Sequence, residues 1–204
     1  MLTFNKAEHR YWWNDSPVPS VTDIMQDVGL IVLKGKASDI EIARAFGTAV
    51  HYATELYDRG ILNEKALDPK IVPYLDCWKQ AQQTYKLTIH DIEKSYYHRT
   101  FKYAGTIDRI VRYRSALYVL DLKTSYDISP SAEIQTAGYQ ILYGNHCLAH
   151  GVPDVGIRRM VVLLRPIKPA KVIVYTNKSD INAFISARNV YERRLKYGYT
   201  RIGS

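Results

Sequence analysis

The chain has 204 residues, of which 47% are hydrophobic and 24% charged; these values are typical of a globular domain and exclude wholesale disorder. Its two cysteines, Cys77 and Cys147, form no CxxC pair, which excludes a disulfide scaffold and a four-cysteine metal or iron–sulfur site. The net charge of +8 favours polyanionic partners. Because no run approaches the ~18 uncharged apolar residues of a membrane span and no secretory pattern opens the chain, we expect a soluble, cytoplasmic protein.

The first 87 residues are predicted to be mainly helical. Arg10–Trp13 is predicted as a strand that turns at Asn14-Asp15, and Ser20 as the N-cap of a short helix ending near Leu30. A capping box is predicted to start a second helix at Ser38, which Gly60 closes, and a third helix is predicted over 70–86.

The remaining residues alternate between strand and helix patterns. The predicted strands are 88–100, 103–113, 117–124, 158–164 and 171–175. A helix is predicted from Ser129-Pro130 to about His150, with Pro130 at its first helical position, and Ser179 is predicted to cap a last helix that runs to about Lys196. This order predicts the α/β class, with a central mixed β-sheet flanked by helices. We expect one domain over 1–204, with a helical part at about 1–87 and the catalytic sheet and helices at about 88–204.

Seventeen tyrosines stand among the basic residues, for example in the segment from Ser95 to Arg99. Aromatic rings beside cations are the combination that a single-stranded nucleic acid groove uses, because every base offers a π face. The same composition also fits a basic protein whose tyrosines pack in half-buried sheets, so composition alone identifies no chemistry.

Two carboxylates are predicted to face each other on neighbouring strands. A two-residue turn at Arg114-Ser115 would place Asp108 directly opposite Asp121, with Cβ atoms about 4.5–5.5 Å apart. Such a pair is unfavourable unless a cation lies between the charges, and a divalent cation that prefers oxygen ligands is the natural candidate. A slip of one residue would move the carboxylates to opposite faces. An exposed polar face with an incidental ion pair is the alternative.

Lys123 lies two residues after Asp121 and is therefore expected on the same face of its strand. The residues expected to point the other way, into one shared core, are Leu120, Leu122, Ile107 and Val111.

Two helices add further polar candidates. Gly47, His51 and Glu55 follow one another at intervals of four residues and share one helix face. A neutral imidazole can complete a carboxylate-held metal site, and Gly47 would let another backbone come close. A helical histidine is also commonly structural or simply exposed. Gln135 and Tyr139, again four residues apart, could hold a phosphate or a base.

Four motifs occur in a fixed order, namely Gly47-x3-His51, Gly105-Thr106-Ile107-Asp108, Asp121-Leu122-Lys123 and Gln135-x3-Tyr139. Together they resemble the PD-(D/E)xK nuclease superfamily in its RecB-like exonuclease branch, over about residues 9–145. The segment from Pro19 to Thr22 is similar to the start of phage-encoded members and of mitochondrial genome-maintenance exonucleases. Ile107 stands where the superfamily name has proline, and the missing cysteines place the chain with the members that lack an iron–sulfur cluster.

The resemblance implies a restriction-endonuclease-like core and a divalent-metal phosphodiesterase. Asp108 and Asp121 would ligate Mg²⁺ or Mn²⁺ together with the backbone carbonyl of Leu122, and His51 would be a further ligand. Lys123 would orient or deprotonate the attacking water and offset the charge that develops on the scissile phosphate.

The resemblance also suggests DNA contacts around these residues. Gln135 and Tyr139 would steady the active site and the DNA backbone, and Arg109 and Thr124 are further candidates for nucleic-acid binding. Glu93 falls where relatives often carry an acidic residue, although a surface glutamate is an equal interpretation.

The function expected from the resemblance is a metal-dependent DNA exonuclease that acts on single strands or DNA ends in phage-type recombination, repair or replication. A single-strand annealing protein is a plausible partner, in the cytoplasm of a phage-infected or prophage-bearing host. The alternatives are a structure-specific endonuclease of the same superfamily and a non-catalytic nucleic-acid-binding module.

Overall fold

The computed structural model describes residues 1–6, 8–32, 35–152 and 156–198. A three-stranded antiparallel sheet contains β1 (Leu2–Asn5), β2 (Arg10–Trp13) and β3 (Ser16–Val18). A five-stranded sheet contains β4 (Thr88–His98), β5 (Tyr103–Tyr113), β6 (Ala116–Lys123), β7 (Arg158–Leu163) and β8 (Lys171–Tyr175). The helices are α1 (Val21–Asp27), α2 (Ala37–Asp58), α3 (Val72–Tyr85), α4 (Ser131–Ala149) and α5 (Ser179–Tyr197), with a 3₁₀ turn at Glu64–Ala66.

The larger sheet is mixed and is covered by helices on both faces. Its strands follow the order β4-β5-β6-β7-β8, and only the β6–β7 pair is parallel, joined through α4. One buried cluster joins the sheet to α1, α4 and α5, and a second joins the opposite face to α2 and α3. The predicted class, α/β with a mixed sheet flanked by helices, is confirmed. Among the described residues, every helix is too short or too polar to cross a membrane.

Of the helix starts predicted from the sequence, that of α1 is right, whereas those of α2, α4 and α5 are displaced. Ser20 caps α1 through a reciprocal pair of bonds with Asp23, each 2.9 Å long. The capping box at Ser38 is wrong, because α2 already begins at Ala37 and the N–H groups of Asp39 and Ile40 bond to the carbonyl of Lys36. Strand β1, which pairs with the predicted Arg10–Trp13 strand, was missed.

The other two helix starts are displaced by one residue. Pro130 is the N-cap of α4 rather than its first helical residue. Ser179 is the first residue of α5, and Lys178 precedes it as N-cap.

The predicted register of the central hairpin is confirmed. Strands β5 and β6 pair from Tyr113–Ala116 to Arg109–Leu120 around a turn at Arg114-Ser115. The next step of this register would pair Asp108 with Asp121, but the ladder ends at Arg109–Leu120.

The single core expected for this hairpin is wrong. Val111, Leu120 and Leu122 pack beneath α2 and α3, whereas Ile107 packs on the opposite face with α1 and α4. Regular pairing stops before Asp108, whose Oδ2 accepts the N–H of Leu122 at 2.7 Å, in the position that a main-chain carbonyl fills in a regular ladder. The alternation along β5 shifts by one residue at this point.

Close packing of α4 on α5 leads to a stability prediction. A Cβ atom at Gly138 would lie 2.8 Å from Phe184, whereas one at Gly144 would have its nearest contact at 4.0 Å. Changing Gly138 to alanine is expected to cost about 1–3 kcal/mol of unfolding free energy through overpacking. Changing Gly144 to alanine is expected to add up to about 1 kcal/mol, because alanine favours helix. Urea unfolding of both variants tests this, and equal shifts would contradict it.

Candidate active site

The predicted carboxylates Asp108 and Asp121 lie just beyond the last β5–β6 pair, Arg109–Leu120. Asp108 Oδ2 lies 3.5 Å from Nδ1 of His51, so the structure brings these two predicted ligands together. His51 is partly exposed, on the side of α2 that faces the sheet. Gly47 permits a close approach, since a Cβ there would lie 3.2 Å from Oγ1 of Thr124. The approaching group is this side chain rather than the backbone that the sequence suggested.

Glu93 joins this pair, although its sequence context fitted a surface glutamate equally well. One ligand atom each from His51, Glu93 and Asp108 all lie within 4.8 Å of one another. Burial, followed by the charge of Asp108, raises the pKa of Glu93 to about 8. The only sequence signal was an acidic residue on the strand before the Gly105 motif.

A chain of polar contacts joins four further predicted residues, which are Asp121, Lys123, Gln135 and Tyr139. Lys123 Nζ lies 2.8 Å from Asp121 Oδ2 and donates to Oε1 of Gln135 at 2.9 Å. Gln135 Nε2 in turn donates to the hydroxyl of Tyr139 at 3.2 Å. Burial is the main cause that raises the pKa of Tyr139 well above its usual value, so this phenol keeps its proton at neutral pH.

Asp121 is buried, and its surroundings leave it incompletely satisfied. Burial raises the pKa of its carboxyl group, with the charge of Lys123 acting in the opposite direction. Its Oδ2 accepts no hydrogen bond of good geometry, although the Lys123 ammonium is near enough for an ion pair. A buried oxygen in this state has capacity for a further cationic partner.

These side chains fit a divalent cation in their chemistry. Carboxylate oxygens and one imidazole nitrogen are ligands that Mg²⁺ and Mn²⁺ accept. The cluster of His51, Glu93 and Asp108 is close enough to hold one ion. A cation here would also relieve the repulsion between Glu93 and Asp108 that contributes to the raised pKa of Glu93.

Arg109 is buried, which argues against the contact with nucleic acid that the sequence suggested. Its side chain is 0% exposed. The guanidinium pairs with Asp58 at 2.6 Å and with Glu93 at 3.1 Å, and it also donates to the carbonyl of Asp108 at 2.6 Å and to Thr54 at 3.2 Å. Because the alternation of β5 shifts at Asp108, Arg109 points into the α2–α3 side of the sheet and not toward solvent.

The cluster lies in an open cleft with a volume of about 1590 Å³. The β1–β2 hairpin and its turn form one wall, α2 forms the other, and the ends of β5 and β6 with α4 form the floor. Of the predicted site residues, those that line the cleft are His51, Asp108, Asp121, Lys123, Thr124, Gln135 and Tyr139. The side chain of Leu122 packs in the core below.

The two walls of the cleft touch near the cluster. Lys6, in the β1–β2 turn, pairs with Glu55 at 3.3 Å and lies 5.1 Å from the ring centroid of Tyr52. Glu55, which the sequence placed on the same helix face as His51, also pairs with Arg59. Two ion pairs therefore offset its negative charge. The sequence gave no indication of this contact, because it joins residues far apart in the chain.

Comparison with known proteins reveals similarity in fold only. Neither family models nor curated proteins match the sequence. A solved protein from Eubacterium rectale that carries a provisional exonuclease name aligns with a TM-score of 0.54 and 12% identity, over 90% of this chain and 83% of that one. A phage-related exonuclease from Haemophilus somnus aligns with a TM-score of 0.40 and 14% identity, over 90% of this chain and 96% of that one. The chain therefore shares the fold of the first of these proteins.

Proposed function

We propose that this protein is a divalent-metal-dependent nuclease of the PD-(D/E)xK superfamily, in its RecB-like branch, that degrades DNA from its ends. The observation that carries the proposal is the cluster of His51, Glu93 and Asp108 beside the Asp121–Lys123 pair, on the floor of one open cleft. The fold shared with a protein named provisionally as an exonuclease supports the same activity. The order of the four sequence motifs agrees with it.

In this proposal the cation is Mg²⁺ or Mn²⁺, held by Asp108, His51 and Asp121 with the carbonyl of Leu122, and Glu93 is added to that set. When bound, the cation supplies Lewis-acid polarisation of the phosphate and lowers the pKa of water. Arg109 fixes Glu93 and the Asp108 backbone from behind, so the ligands are held in place before substrate arrives.

The remaining side chains act on the phosphate and on the water. Lys123 is held between Asp121 and Gln135, where its ammonium can orient the attacking water and offset charge on the scissile phosphate. The water oxygen forms the new bond to phosphorus as the bond to the leaving oxygen breaks. Tyr139 stays protonated and can donate to a phosphate oxygen. Thr124 also lines the cleft, where its hydroxyl can donate to a phosphate oxygen.

A cleavage assay tests the proposal directly. End-labelled linear single-stranded and duplex DNA, and a closed circular single strand, are incubated with Mg²⁺, Mn²⁺ or EDTA. We expect loss of the linear strands with either metal, no loss in EDTA, and an intact circle. The label that disappears first gives the polarity.

Other outcomes distinguish the alternatives. Cutting of the circle would identify an endonuclease, and binding without cleavage in either metal would identify a nucleic-acid-binding module. The role in phage-type recombination, repair or replication and the annealing partner stay predictions of the sequence resemblance.

A further inference from the structure

We propose that the α2 wall of the cleft is a binding subsite for single-stranded DNA, in which Tyr52 stacks on a base and Arg44 contacts a phosphate. The inference rests on the proposed function for the identity of the polymer. It adds two binding residues outside the polar cluster, and it favours single strands, one of the two substrate forms that the sequence resemblance left open.

Tyr52 provides an aromatic face next to the candidate metal site. It follows His51 in α2, lines the cleft, and leaves 51% of its surface exposed. Lys6 lies over its ring from the opposite wall. A half-exposed ring beside a cation is suited to binding bases without regard to sequence.

Arg44 provides positive charge farther along the same wall. It lies seven residues before His51, which places it on nearly the same helix face and about 10 Å away along the axis. Its side chain is exposed, and its guanidinium has no hydrogen-bond or ion-pair partner among the described residues. Such an unpaired cation is free to bind a phosphate.

Two of the acidic side chains that line the cleft already have partners. Glu55 forms ion pairs with Lys6 and Arg59, and Asp23 accepts the backbone N–H of Ser20 at the start of α1. Glu8 also lines the cleft, on the hairpin side. Because the Lys6–Glu55 pair is solvent-exposed on the lysine side, it is weak and can be replaced when a phosphate competes for Lys6.

The stacking geometry favours one strand over two. In a duplex both faces of each internal base are covered by its neighbours, so a protein ring reaches a base only after it is unstacked. A single strand offers free base faces at no such cost. We therefore expect the subsite to prefer single strands.

The test is equilibrium binding of labelled oligothymidylate in EDTA, so that the intact protein binds without cutting. Changing Tyr52 to alanine is expected to weaken binding by about 5- to 100-fold, whereas phenylalanine retains the ring and the affinity. The matched control is Tyr126→Ala, because Tyr126 is fully exposed but lies outside the cleft lining, and it should bind as wild type.

Arg44 is tested by the salt dependence of binding. Arg44→Gln should lower the slope of log affinity against log salt by about 0.7, the value for one phosphate contact in a single strand. Arg193→Gln, at an exposed arginine of α5 outside the cleft lining, should leave the slope unchanged. Equal slopes for both variants would overturn the role of Arg44.

The outcomes separate this inference from the proposed function. Wild-type cleavage with metal, together with unchanged binding by Tyr52→Ala, would overturn the subsite and leave the nuclease standing. Absence of cleavage in every metal, together with weakened binding by Tyr52→Ala, would reject the nuclease and support the subsite. Duplex bound as tightly as single strand would overturn the preference. Thermal unfolding of each variant confirms that it is folded.

Discussion

Replacing Arg109 with methionine is expected to lower the free energy of unfolding by about 3–5 kcal/mol, because it leaves a buried carboxylate without its cation. The side chains of Arg109 and Asp58 are 0% and 1% exposed, and the atoms that pair them are 2.6 Å apart. Trp78 and Gln82 also donate to Asp58, but neither carries a charge that could replace the guanidinium.

A nearby surface pair gives the matched control. Arg59 pairs with Glu55 at 3.1 Å, but its side chain is 42% exposed. Arg59→Met should therefore cost no more than about 1 kcal/mol. Urea unfolding measures both changes.

A double variant tests the cause of the loss. Because a buried ion pair can be replaced by apolar residues with little cost, Arg109→Met with Asp58→Leu is expected to recover part of the stability. The recovery is incomplete because Trp78 and Gln82 then lose their shared acceptor. Equal costs for Arg109→Met and Arg59→Met, or no recovery in the double variant, would contradict the account.

Arg109 also bears on metal binding, since it holds Glu93 and the carbonyl of Asp108. Mutation of a residue that hydrogen-bonds to a metal ligand typically lowers the metal affinity by about 10- to 100-fold. Mn²⁺ titration of folded Arg109→Met, at a temperature below its unfolding transition, is expected to show a loss in this range. Wild-type affinity would assign Arg109 a purely structural role.

The register of the central hairpin could be predicted because the chain itself limits it. The strand patterns on both sides of Arg114-Ser115 leave room for a two-residue turn, and the turn fixes every pair up to Arg109–Leu120. Asp108 and Asp121 are the next residues beyond that last pair. The candidate site followed from this local geometry, as did the strand and helix order.

The face of each side chain beyond the ladder could not be predicted. Strict alternation assigns Ile107 and Val111 to one face, yet the bond from Leu122 N–H to the Asp108 carboxylate interrupts the pattern. The same interruption buries Arg109, which sequence reasoning placed in contact with DNA. A side chain that replaces a backbone acceptor leaves no signal in hydrophobic periodicity.

Contacts between segments that are far apart in the chain also could not be predicted from the sequence. Glu93 enters the cluster with a left-handed backbone, at φ 47°, which a strand pattern does not indicate. Lys6 reaches Glu55 only because the β1–β2 hairpin folds against α2, and β1 itself was missed. The wall formed by the β1–β2 hairpin was therefore found from the structure alone, whereas α2 and most of the cleft floor were predicted from the sequence.

Separate roles are expected for Asp108 and Lys123 when each is changed. Asp108→Asn should reduce cleavage by about 10³-fold or more, because several kcal/mol of transition-state stabilisation depend on the cation that this carboxylate helps to hold. Mn²⁺ affinity, measured by titration calorimetry, should fall in the same variant. Cleavage at the wild-type rate would remove Asp108 from the ligand set.

Lys123→Met should reduce the rate of cleavage by about 10²- to 10³-fold, as for loss of one charged donor at the reacting phosphate, while Mn²⁺ still binds. Lys79 is a matched control, since it is 22% exposed against 25% for Lys123 and also lies 2.8 Å from its carboxylate partner, Glu64. Lys79→Met should cleave as wild type, because Lys79 lies outside the cleft lining. If both lysine variants lost the same activity, the loss would come from broken ion pairs, and Lys123 would have no role at the phosphate.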